Sequence, residues 1–157
     1  MTALLLSAHV LAAILTVGPV AVTASMFPSA ARRMLAAPDD ADAVAAARLL
    51  HRVTRVYAVV GAAVPVLGYA TGASLGVLSD AWLVTSMVLT AAAAVVLITL
   101  VLPGQRRVLE ASAGASGGAA ASPTGRLAMH AGLFNLLWAV VVVLMIYRPG
   151  STTGAGL

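Results

Sequence analysis

Apolar residues fall into four long runs, and most charged residues lie in the stretches between them. The runs cover Thr2–Met26, Val56–Leu78, Ala81–Leu102 and Leu127–Tyr147. Each is long enough to cross a hydrocarbon layer of about 30 Å as a helix, which takes ~20 residues. The pattern predicts an all-α fold. It is a polytopic membrane protein, a four-transmembrane-helix bundle forming one domain over residues 1–148 with a flexible tail at 149–157.

Local signals place the ends. Pro38-Asp39-Asp40 is a turn and N-cap, so a helix is expected to start near Asp40. It is expected to run unbroken into the second span, with 40–55 as an amphipathic cytoplasmic extension. Arg48, Arg52 and Arg55 share one face of that extension. In the first span Gly18-Pro19 predicts a kink, and Phe27-Pro28-Ser29 ends the hydrocarbon segment. Gly61, Pro65, Gly68, Gly72 and Gly76 give the second span a small-residue stripe, read as its packing face. Ser79-Asp80 is expected to cap the third helix, Trp82 to sit in the outer aromatic belt, and Ser86, Thr90 and Ala93 to continue one small face. Leu102-Pro103-Gly104 is expected to break that helix, and 111–125, made of Ala, Gly, Ser, Pro and Thr, to be a flexible linker.

Composition supports the membrane reading. The 157 residues are 61% hydrophobic and 9% charged, with a mean hydropathy of +1.02. Soluble domains carry about 25% charged residues. The formal charge of +4 and pI near 10.7 do not signal nucleic-acid binding, because all nine cations are Arg and eight lie in or beside the first and third connections. That asymmetry places those connections in the cytoplasm and both termini outside an inner, cytoplasmic membrane. Val22-Thr23-Ala24 mimics a cleavage site, yet no cation precedes the first run and Arg32-Arg33 follow it, so a retained helix is expected. The chain has no cysteine, which excludes disulfides, thiolate metal sites and thiol catalysis.

Polar groups within spans are costly and mark candidate sites. His9, Thr16 and Thr23 recur every seven residues on one face of the first span. His130 lies near the inner end of the fourth span, and Asn135 faces elsewhere on the same helix, nearer mid-membrane. The simplest role for His9, Thr16 and Asn135 is interhelical hydrogen bonding, worth ~0.6–2 kcal/mol each. Bis-histidine haem ligation needs two imidazoles at similar depth. His9 and His130 differ by about 13 Å in depth at ~1.5 Å per residue, so His51 and His130 are the better pair, with Arg48 and Arg55 for propionates. Those arginines serve equally as anchors for anionic headgroups. The histidines match no metal-ligand spacing, and no carboxylate lies within a span to drive a pump. No nucleophile–base set, nucleophile elbow or phosphate loop is present, so catalysis is not expected.

His9-Val10-Leu11-Ala12, Pro65 with Thr71-Gly72, Trp82-Leu83 and Leu144-Met145-Ile146-Tyr147-Arg148-Pro149 resemble an uncharacterised bacterial family of four-helix integral membrane proteins. The resemblance implies the architecture and no activity. Arg55-Val56-Tyr57 departs from the acidic–aromatic start of the second helix found in many members. The opening from His9 to Gly18 also resembles the first helix of copper-resistance and protoporphyrinogen-oxidase-type membrane proteins, which implies metal or haem chemistry at such a histidine. The leading expectation is a non-catalytic accessory or assembly component, partnered by the bilayer and by another membrane protein or a second copy. A b-type haem or redox protein is the alternative, and a small-solute transporter the third.

Overall fold

Four helical stretches carry the chain, and each is longer than its apolar run. The computed structural model describes residues 2–112 and 122–150. They form α1 (Thr2–Ala36), α2 (Ala41–Val60), α3 (Ala63–Leu75), α4 (Ala81–Val96), a wide π turn (Leu97–Val101), α5 (Leu102–Ser112) and α6 (Ser122–Tyr147). With α2 joined to α3 and α4 to α5, four helices are long and apolar enough to cross a membrane. Among the described residues there is no strand. The connector expected at 111–125 and the tail expected at 149–157 fall largely outside the described residues. The described ends of that connector are helical, up to Ser112 and from Ser122.

The first three stretches run 35, 35 and 32 residues. At ~1.5 Å per residue the longest is about 20 Å longer than a hydrocarbon layer is thick, and the residues beyond its apolar run lie at the arginine end. That overhang has its own core: Phe27, Ala31 and Met34 of α1, Ala47 of α2, Val108 of α5 and Leu127 of α6. Arg48, Arg52 and Arg55 point outward from it, exposed. The second core lies deeper, with Val20 and Ala24 against Ala93, Val96, Val101 and Phe134. α1 is the central helix, packing on α2, α3, α5 and α6, while α4 packs chiefly on α6.

Two prolines reshape the expected boundaries. α1 runs through Pro19 and Pro28 without interruption. The expected unbroken helix from Asp40 instead yields at Gly61–Ala62, between α2 and α3. Pro65 has no N–H to give to the Gly61 carbonyl, which takes the Val64 N–H at 3.0 Å in a tighter turn. Pro103 was expected to break the third span, but the helix passes it. Because Pro103 cannot donate to Thr99, the preceding turn widens to a π turn, and α5 continues to Ser112.

The caps divide. Asp40 accepts from the Asp42 and Ala43 backbone N–H groups at 3.0 and 3.3 Å, as its N-cap pattern predicts. Asp80 makes no side-chain cap and accepts the Trp82 indole N–H instead, at 3.0 Å. Trp82 is buried rather than spread on lipid, and Arg148 stacks over its ring at 5.4 Å.

A π turn holds one residue more than an α turn. Deleting Leu100 is therefore expected to convert it to α geometry and leave Gln105 and Val108 facing inward. The thermal midpoint in mild detergent should stay within a few degrees of the parent. Deleting Ala92 rotates everything beyond it by about 100° and should leave no folded protein. Equal damage from both deletions would disprove this reading of the turn.

Candidate functional site

His9, Thr16 and Thr23 do share the buried face of α1, as their spacing predicts. Each meets a different neighbour. The Thr23 and Thr54 hydroxyls are bonded to one another at 2.8 Å, joining α1 to α2. Thr16 donates to its own Ala12 carbonyl at 2.6 Å, which satisfies it within the helix. His9 reaches across to α3, where its Nδ1 lies 3.0 Å from the Val64 carbonyl oxygen. A carbonyl only accepts, so Nδ1 carries the proton and, in the neutral ring, Nε2 carries the free lone pair.

Two glycines of the predicted stripe make close helix contacts. A Cβ on Gly68 would sit 2.9 Å from His9 Cε1, so the imidazole lies against bare backbone. A Cβ on Gly72 would meet Leu83 of α4 at 2.8 Å. Gly61 differs: a Cβ there would come 2.9 Å from the Tyr57 carbonyl of its own helix. Gly76 is no packing residue. It takes φ 71° and closes α3, while Val77 N–H reaches back to the Gly72 carbonyl at 3.1 Å.

Below the Leu83 contact, α3 and α4 stand apart. The small faces read as packing surfaces line a crevice between them, with α1 and α6 as its back wall. Two cavities that share Pro65, Thr90 and Trp138 lie in it, and a third adjoins the middle one at His9 and Gly68. The innermost, about 210 Å³, is lined by Thr16, Tyr57, Gly61, Pro65, Thr90 and Trp138, among others. The middle one, about 360 Å³, opens on His9, Gly68, Met87, Trp138 and Met145. The outermost, about 480 Å³, runs from His9 and Gly72 to Arg148. His9 borders the last two, is 7% exposed, and has no Nε2 partner among the described residues.

The other candidate residues lie elsewhere. His51 donates through Nδ1 to Gln105 Oε1 at 3.0 Å. His130 is half-buried on α6 and has no hydrogen-bond partner among the described residues. α1 and α5 each pack on both α2 and α6, which makes the helices bearing His51 and His130 the diagonal pair. Nothing in this arrangement joins the two imidazoles. Among the described residues no three His, Asp or Glu converge. Comparison with protein-family models, with curated proteins and with solved structures yields no match to this chain. The site therefore rests on its own geometry.

Two fully buried side-chain atoms have no partner among the described residues. Asn135 Nδ2 donates to Ser25 Oγ at 2.8 Å on the α1–α6 seam, and its Oδ1 has no partner. Gln105 is 1% exposed, and its Nε2 is unpaired. Reading Pro103-Gly104 as a break hid Gln105. The signal was its spacing from Val101 and Val108, the i, i+4, i+7 stripe of a continuing helix, and all three are buried.

Proposed function

We propose that the protein is an accessory component of the cytoplasmic membrane, with its arginine end in the cytoplasm, that holds one lipophilic molecule in the crevice between α3 and α4. The crevice carries this reading. It spans about 20 Å, judged from Leu6 to Val20 on α1 at ~1.5 Å per residue. Its walls are almost wholly apolar, as ligand sites are, with few fixed polar groups. The Thr16 and Thr90 hydroxyls donate to their own helices, at 2.6 and 2.7 Å, so the walls are built to hold a chain rather than to react with it. The exposed Arg48, Arg52 and Arg55 face would meet anionic headgroups or an acidic partner at the opposite end.

A photoreactive long-chain alcohol, a diazirine-bearing hexadecanol, tests the reading in nanodiscs. Labelling is expected to concentrate on crevice residues such as Met87, Trp138 and Met145. Equal labelling of outward residues such as Leu11 and Leu136, both exposed, would mean ordinary bilayer contact only and would overturn it. The same preparation, examined by visible absorption, is expected to show no Soret band. A Soret band lost on replacing His9 or His130 would put haem in place of the lipophile.

A further inference from the structure

We infer that the occupant of the crevice carries a hydrogen-bond donor, a hydroxyl or phenol on a long apolar chain, and that His9 Nε2 accepts it. This rests on the proposal that the crevice holds a lipophile, and it adds the chemistry by which that lipophile is chosen. His9 is the ionisable side chain set deepest in the middle cavity, and it is more than nine-tenths buried. Its orientation is fixed from two sides. The Val64 carbonyl takes the Nδ1 proton at 3.0 Å, and the ring lies on Gly68, where a Cβ would stand 3.6 Å from Nε2. One tautomer and one ring plane result, with Nε2 as an acceptor beside the cavities.

No group among the described residues pairs with that acceptor: of the polar residues in the walls, Thr71 and Thr90 donate to their own helices, Arg148 donates to the Met145 carbonyl, and Tyr69 makes no bond to His9. In a low-dielectric site an acceptor without a donor is unfavourable, so a donor-bearing chain is selected over one that only fills space. A ligand that can only accept, such as an ether or an ester carbonyl, meets the lone pair without compensation. A site built around one hydrogen bond rejects the analogue lacking it far more strongly than an apolar pocket rejects a changed methylene count.

The test is competition for photolabelling of the crevice in nanodiscs. The two competitors are hexadecanol and hexadecyl methyl ether, which share a chain and differ in the donor. Wild type is expected to be protected by the alcohol at a concentration at least about tenfold lower than by the ether. His9→Phe keeps a ring on Gly68 and removes the acceptor, so the two competitors should become equal while crevice labelling persists. His9→Ala should do the same. If wild type does not distinguish the competitors, or if His9→Phe still favours the alcohol, the inference is overturned while the crevice reading stands. If neither competitor protects crevice-confined labelling, the donor-bearing chain is also the wrong occupant. Labelling spread over the outward helix faces removes the underlying reading itself. Circular dichroism and monodispersity of each variant separate a lost preference from a lost fold.

Discussion

Gly68→Val is expected to destabilise the protein by about 1–3 kcal/mol and to close the crevice at His9. The new Cβ would stand 2.9 Å from His9 Cε1 and 3.4 Å from Nδ1. A long aliphatic side chain could swing aside, but the imidazole is tied to the Val64 carbonyl and can leave only by breaking that bond. Valine recovers a few tenths of a kcal/mol over glycine in helix propensity, which is too little to offset the clash. Gly132→Val is the control, because a Cβ there meets nothing within 4 Å, and its thermal midpoint should match the parent. The decisive measurement is the pair with His9→Ala. If the clash is with the imidazole, Gly68→Val in the His9→Ala background should cost less than ~0.5 kcal/mol, since coupled neighbours fail additivity. A full penalty in both backgrounds would mean that Gly68 matters for some contact other than His9.

The four helices long and apolar enough to cross a membrane were legible because their signal is local: a run of apolar side chains is counted along the chain. The N-cap at Asp40 and the buried face through His9, Thr16 and Thr23 were legible for the same reason, as spacing on one helix. The effects of proline were harder to read. Pro65 and Pro103 each remove one donor, yet one produced a tight interruption and the other a wide turn. Which outcome follows depends on what the next helix must face. Beyond Pro103 that is Gln105 toward His51 and Val108 toward Phe27 and Leu127, contacts made across the bundle.

The crevice was illegible for a related reason. The Gly61–Gly68 stripe read as a packing face, and Ser86, Thr90 and Ala93 as one small face on the next span. Whether small faces meet or stand apart is set by the distance between helix axes, and single-helix periodicity carries no such distance. α3 leans on α1 and α4 on α6, so the two small faces are left on either side of a gap. His9 was visible as a polar residue within a span. Its role became definite only when Val64 and Gly68 fixed the tautomer and the ring plane.

A single-cysteine experiment should give an all-or-none answer on orientation. The chain has no native cysteine, so each introduced thiol reports alone. Ser79→Cys lies at the exposed turn between α3 and α4, at the end away from the eight clustered arginines. Gly117→Cys lies in the connector between α5 and α6, at the arginine end. A membrane-impermeant maleimide is expected to label Ser79→Cys on intact cells, and Gly117→Cys only after permeabilisation. The physical basis is the cost of moving arginine outward. Each positive charge carried out against a 100 mV potential costs about 2.3 kcal/mol, and Arg32, Arg33, Arg48, Arg52 and Arg55 all sit within a single connection. Positive residues in short connections set orientation while acidic ones contribute little, so Asp39, Asp40 and Asp42 should not reverse the outcome. Moving the bias should move the protein. With those five arginines changed to glutamine, the labelling contrast between the two cysteines should weaken, leaving a mixed population. If Gly117→Cys labels on intact cells in the unaltered background, the arginine end faces outward and the proposed orientation is wrong. Labelling of both cysteines from the same face would instead require an even number of crossings between them, which the continuous helix from Ala81 to Ser112 allows only if it fails to span.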